Sequence, residues 1–197
     1  MNVAEQEFTT EKFQKYFDHS SLISDKAWDI FVSKLIRREY PKNATILKNG
    51  QVENFISFVD TGIIRFFIPN EEQEMTFAFV FENELMSAYD SFLMQTASTY
   101  AVQTITPTVL WSFTHKSLQD LYQEVPISNV IGRMACEELY IKKTARELSL
   151  LNQNAQERYL NIFAERPMLL QQIPLKYIAS YIGITPQALS RIRRRIS

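Results

Sequence analysis

The spacing of apolar positions changes twice along the chain. Residues 5–17 and 25–38 repeat apolar side chains at helical intervals. Phe8, Phe13, Tyr16 and Phe17 stripe the first stretch; Trp28, Phe31, Val32, Leu35 and Ile36 stripe the second. Ser24 is placed to cap the second helix, and Pro41 closes it. From about residue 44 to 114, short runs rich in Ile, Phe, Val and Thr predict strands. They are Ala44–Leu47, Phe55–Val59, Ile63–Ile68, Met75–Phe81, Tyr100–Thr106 and Val109–Phe113. Asp60-Thr61-Gly62 predicts a short hairpin turn with Gly62 at positive φ, and Pro69–Glu72 a second turn. Between Asn83 and Gln95 the pattern lapses, which predicts a loop or a short helix. Strands at this spacing suggest a barrel or jelly roll.

Helical spacing returns at Ser117, with Leu118, Leu121 and Tyr122. Pro126 then opens a long helix to about Leu151. Val130, Met134, Ile141, Leu148 and Leu151 form a coiled-coil-like seam that Glu137 and Thr144 interrupt. One face of this helix is expected on its own barrel and another against a twin. Asn154 with Glu157 predicts a capped helix through about Glu165, ended by Arg166-Pro167.

The last stretch, from Ile173, predicts two short helices. Leu175, Ile178, Ala179 and Ile182 share one apolar face. Gly183 supplies the left-handed residue that often ends a helix. Thr185 can cap the second helix, and Pro186 suits its first position. In that helix Ala188, Leu189, Ile192 and Ile196 point one way; Gln187, Ser190, Arg191 and Arg194 point the other. Arg193 and Arg195 flank the polar side. An amide, a hydroxyl and guanidinium forks suit base edges and phosphates in a major groove. This is the order of a helix-turn-helix that reads DNA with its second helix.

Composition and charge change this picture in three ways. With 46% hydrophobic and 22% charged residues, the chain is globular. A single cysteine, Cys136, excludes an internal disulfide and a multi-cysteine metal site. No apolar run approaches the roughly 20 residues of a membrane span, and the start MNVAEQEFTTEKFQ lacks the pattern of a secretory signal. A cytoplasmic protein is the expectation. Charge is divided unevenly. Residues 166–197 hold six basic and no acidic residues, so with the chain at -1, residues 1–165 carry -7. A basic tip on an acidic body favours nucleic acid over a merely solvated helical hairpin.

Several motifs resemble the cyclic-AMP receptor and FNR superfamily of transcription regulators. They are ILKNGQVENFISFVDTGIIRFF in the strand region, QERYLNIF before the last helices, and IASYIGITPQALSRIRR. The resemblance covers about residues 20–197 and is most specific in the last motif. It implies a homodimer paired through the long helix, an effector pocket between barrel and helix, and recognition helices that reorient when an effector binds. Thr185, Gln187, Ser190 and Arg191 match positions that face DNA in such proteins, and Arg193 and Arg194 join them as candidate contacts. Val130, Met134, Ile141 and Leu148 become the candidate dimer interface. The candidate effector pocket comprises Phe79, Ser87, Ala88, Tyr89, Ser98 and Thr99.

Two departures matter. Cyclic-AMP binders in this superfamily carry a glutamate for the ribose and an Arg-Ser or Arg-Thr pair for the phosphate; the matching positions here are Ala88, Ser98 and Thr99. Without the guanidinium a buried phosphate loses its main charged partner. Cyclic AMP is therefore not the expected effector, and Phe77, Phe79, Phe81, Tyr89 and Phe92 suggest an apolar or weakly polar one, unless those rings simply fill the barrel. The sequence also ends just past the recognition helix, so the usual β-wing is expected to be reduced or absent.

The expected fold is thus α+β: N-terminal helices, an antiparallel β-barrel or jelly roll, a long dimerisation helix and a C-terminal helix-turn-helix. The expected domains are 1–125, a cyclic-nucleotide-binding-like sensory barrel; 126–152, the dimerisation helix; and 153–197, the DNA-binding unit. The expected partners are double-stranded DNA with a palindromic operator, a second copy, RNA polymerase if the protein activates, and an unknown small-molecule effector. No membrane, metal, cofactor or enzymatic activity is expected. The alternatives are a cupin-like small-molecule-binding barrel without a DNA role, or a cyclic-nucleotide module serving another protein. The first needs clustered metal ligands, but His19 precedes the barrel and His115 ends it. The second is disfavoured by Ala88 and Ser98. The same scarcity of histidine and cysteine speaks against haem or iron–sulfur sensing.

Overall fold

The structure is a computed structural model describing residues 12, 24–70, 74–165, 167 and 169–196. The predicted helix at 5–17 lies outside these residues apart from Lys12, whose ammonium is 3.3 Å from Asp60 Oδ1. Helix α1, Asp25–Ser33, begins where Ser24 Oγ accepts the Ala27 N–H at 3.3 Å. It ends earlier than its stripe predicts. Ile36–Tyr40 is instead strand β1, antiparallel to a later strand across Ser112–Thr108. Local spacing fits either form over so few residues, and a full row of cross-strand hydrogen bonds decides it.

The remaining strands are β2 (Thr45–Leu47), β3 (Phe55–Thr61), β4 (Ile64–Ile68), β5 (Met75–Val80), β6 (Leu85–Met86), β7 (Ala101–Thr104) and β8 (Thr108–Thr114). All six predicted strands are present with shifted ends, and β1 and β6 are additional. Two antiparallel four-stranded sheets result, ordered β1-β8-β3-β6 and β2-β7-β4-β5. Leu47, Val59, Ile64, Phe66, Met86, Val102 and Leu110 fill the space between them. The turn after β3 needs its glycine. Gly62 has φ +109°, and a Cβ there would stand 2.4 Å from Thr108 Oγ1 and 2.8 Å from the Pro107 carbonyl oxygen.

Among the described residues, seven further helices interrupt or follow the sheets: α2 (Tyr89–Met94) in the stretch where alternation lapsed, then α3 (His115–Glu124), α4 (Ile127–Asn152), α5 (Ala155–Glu165), α6 (Leu169–Gln172), α7 (Leu175–Tyr181) and α8 (Pro186–Ile196). Helices α1, α3 and the start of α4 cover the outer face of β3 and β8 through Phe31, Phe58, Phe113, Leu121, Val125 and Ile131. That second cover explains why β3 is buried continuously from Ser57 to Asp60 rather than alternately. The predicted cap of α5 is reciprocal. Asn154 Oδ1 accepts the Glu157 N–H at 3.0 Å, and Glu157 Oε2 accepts the Asn154 N–H at 2.8 Å. No helix among the described residues is long and apolar enough to cross a membrane.

Candidate functional site

Helix α7 ends at Gly183, φ +78°, and the turn leads to Thr185, whose Oγ1 accepts the Ala188 N–H at 3.2 Å. The turn fixes how α8 meets α7. Leu189 is 1% exposed and packs with Ile178, Ala179 and Ile182, while Ile192 lies partly buried against them. Two members of the predicted apolar faces do not join this core: Leu175 and Ile196 are each 40% exposed. Both sit at helix ends, Leu175 opening α7 and Ile196 closing α8. Gln187, Ser190, Arg191 and Arg194 are all exposed, as are Thr185, Arg193 and Arg195. The three arginines of the last turn also complement the partial negative charge of a helix C-terminus. An open cleft lies beside α8, lined by Leu175, Pro186, Leu189, Ser190, Arg193 and Arg194.

The long helix α4 is buried only near its start, at Ser128 and Ile131. Val130, Met134, Ile141 and Leu148 are left to solvent in the single chain, Ile141 at 67%. Salt bridges Arg133–Glu137 and Lys142–Glu138 lie along the same helix.

The candidate effector residues are dispersed. Ala88 is fully buried in the core between the sheets. Ser87 Oγ donates to the Phe55 carbonyl at 2.9 Å. Tyr89 stacks on Phe92, centroids 6.3 Å apart, and its hydroxyl is 3.0 Å from Cys136 Sγ of α4. Burial, followed by that bond, raises the Tyr89 pKa well above the ordinary phenol range. Ser98 is buried and bonded to its own loop, Oγ donating to the Tyr100 carbonyl at 2.9 Å, whereas Thr99 is exposed. Phe79 belongs to another cluster: its ring packs on Tyr181 of α7, centroids 5.2 Å apart. Phe77 packs edge-on against Tyr100 within the barrel at 5.0 Å.

Three groups have roles that sequence reasoning missed. Glu53 is 3% exposed, and its Oε1 accepts the Phe55 N–H at 3.0 Å. Burial holds its carboxyl above the usual range, and the Phe55 amide, the Arg38 charge and the Ala88 amide pull it partly back. A buried carboxylate therefore borders Ala88. Arg65 of β4 is 2% exposed, and Ser180 of α7 faces the barrel. A serine inside the apolar run Ile178–Ile182 was the available signal for that contact. Among the described residues, no three His, Cys, Asp or Glu side chains gather as a metal site.

Residues 37–125 match the cyclic nucleotide-binding domain family. No curated protein matches the chain in sequence. Solved structures do match in fold. A mutant CooA from Carboxydothermus hydrogenoformans aligns with TM-score 0.68 at 16% identity, covering 90% of this chain and 81% of that one. The catabolite activator protein of Thermus thermophilus gives 0.55 at 21%, covering 89% and 84%. CLP, a c-di-GMP responsive global regulator from Xanthomonas campestris, gives 0.65 at 16%, covering 88% and 91%. The chain shares the fold of these three proteins.

Proposed function

We propose that the chain is a dimeric, sequence-specific DNA-binding transcription regulator that does not answer to cyclic AMP. One observation carries this reading. Helix α8 buries Leu189 and leaves Gln187, Ser190, Arg191 and Arg194 together in solvent, on a stretch with no acidic residue. That face has the donors and charge of a major-groove reader. In this reading α7 and α8 are the helix-turn-helix, and residues 153–197 form the DNA-binding part. Residues 1–125 are the sensory barrel, and 126–152 pair with a second copy through Val130, Met134, Ile141 and Leu148. Double-stranded DNA with a palindromic site is the partner, and RNA polymerase a further one if the protein activates.

The effector reading rests on charge. No arginine stands at Ala88, Ser98 or Thr99, so a cyclic phosphate beside them would lack the charged partner that the resemblance implies and would lie near the buried Glu53 carboxyl. An uncharged effector beside Ser87, Ala88, Tyr89, Ser98 and Thr99 avoids that repulsion. The decisive experiment is a mobility shift with genomic fragments, followed by selection of the bound sequences. Retention of discrete fragments over competitor DNA is expected; no shift at low salt sinks the reading. Calorimetric titration with cyclic AMP and cyclic GMP is expected to give no heat of binding, and a micromolar Kd for either would refute the effector part alone.

A further inference from the structure

Helix α7 is held from three sides. Strand β5, an edge strand, meets it first: Ser180 Oγ accepts the Thr76 N–H at 2.8 Å and donates to the Glu74 carbonyl at 2.7 Å. The side chain thus satisfies backbone groups that an edge strand leaves open. From α4, the Arg146 guanidinium lies 3.9 Å from the Tyr181 ring centroid and donates to the Tyr181 carbonyl. From α5, Arg158 Nε and Nη2 donate to the Ile182 carbonyl at 2.9 and 2.8 Å. The apolar core is also shared. Ile63 and Ile105 of the barrel pack in one cluster with Tyr159, Ile173, Ile178, Ala179, Ile182 and Leu189. Swinging α7 and α8 away would open both halves of that core at once.

A second contact leads into the barrel. Arg65 Nε donates to Gln103 Oε1 at 2.9 Å, and Nη2 to Glu74 Oε2 at 2.6 Å. Its guanidinium lies between the rings of Phe67 and Tyr177, 3.9 and 3.8 Å from their centroids. Gln103 belongs to β7, the strand just after Ser98 and Thr99; Tyr177 belongs to α7. We propose that the sheet β2-β7-β4-β5, α7 and α8 turn as one body, and that Arg65 is the positioning residue that ties the sheet to α7. A displacement at the start of β7 then reaches α8 without passing along α4.

The inference rests on the DNA-binding reading only for what α8 does at the end of the path. Amide hydrogen exchange on the full chain tests it. The Thr76 amide and those of Ile178–Ile182 are expected to exchange within about tenfold of the β4 amides, as members of one cooperative unit. They should remain so when a selected DNA duplex is bound. Exchange in α7 about 100-fold faster than in β4 would overturn the proposal. So would loss of Thr76 protection on adding DNA. Arg65→Lys keeps the charge and loses the fork; it should loosen α7 and α8 while the other sheet, β1-β8-β3-β6, keeps its protection. Equal loosening of both sheets would make Arg65 merely structural and overturn its assignment. If the wild type binds no DNA, the DNA reading falls, and exchange in the free protein still decides whether α7 and the sheet form one body.

Discussion

At the scale of single residues, the proposed DNA-binding role predicts different effects for the arginines of α8. Arg191 shares a face with Gln187 and Ser190, opposite the buried Leu189. From there its fork can meet a guanine edge, so Arg191→Ala should cost about 1–3 kcal/mol and relax preference at one base position per half-site. Arg193 lies off that face. Arg193→Ala should weaken binding to all sequences alike and flatten the log affinity against log salt dependence by about one unit. Binding of each variant to operator and scrambled DNA across a salt series measures both, and an unchanged operator-to-scrambled ratio for Arg191→Ala would count against the base-reading face. Glu53 gives a prediction about pH. Its folded pKa is raised by burial. Above the ordinary glutamate value of about 4.3, the folded form therefore retains a proton that the unfolded chain has released. Stability falls as pH rises through that interval, and the cost persists above the folded pKa. Glu53→Gln should therefore raise the Tm at pH 7, with a gain that shrinks as the pH is lowered toward 4. Gly62→Ala should do the opposite: the positive φ and the contact with the Pro107–Thr108 backbone should cost about 1–3 kcal/mol or more in denaturant titration.

At the scale of elements, α4 and β1 show how far spacing can be trusted. The stripe Val130, Met134, Ile141 and Leu148 is legible because 26 consecutive helical residues carry it. Among the described residues this row is only partly covered, with Ile141 67% and Leu148 50% exposed. Ile141→Glu should place a charge beside its own copy in the paired seam. Light scattering at micromolar concentration is expected to find the wild type dimeric and the variant shifted toward monomer; a monomeric wild type would end the pairing model. Residues 36–40 misled because five residues hold too little periodicity to exclude a helix. Their fate was decided by β8, some seventy residues later, which offers five paired positions from Ser112 to Thr108.

At the scale of the whole molecule, the proposed pairing through α4 would give the two α8 helices a two-fold relation. Operator half-sites should then lie roughly 34 Å apart, one helical turn of DNA, which footprinting of the selected sites will measure. The shared core makes a second prediction. Helices α5, α7 and α8 share a core with Ile63, Ile105 and Phe79 of the barrel. An isolated 153–197 peptide should be largely unfolded by circular dichroism, since chains near 40 residues rarely close a core alone. A cooperatively melting, helical peptide would show that the barrel contact is dispensable.

What the sequence determined by itself was whatever depends on neighbours a few residues apart. The Asn154–Glu157 cap, the left-handed Gly183 and the Thr185 cap each follow from local backbone chemistry and stand as read, and so do the two faces of α8 apart from the exposed Ile196. The strand region was legible because alternation and turn residues repeat over seventy positions. Tertiary structure alone decided the rest. It converted Ile36–Tyr40 into a strand, sent Phe79 to Tyr181 rather than to Ala88, buried Glu53 beside Ala88, and joined Ser180 to Thr76. Those contacts link residues far apart in the chain, and the free energy that fixes them comes from burial and hydrogen bonds formed only once both partners are in place. No local pattern encodes which distant surface will arrive.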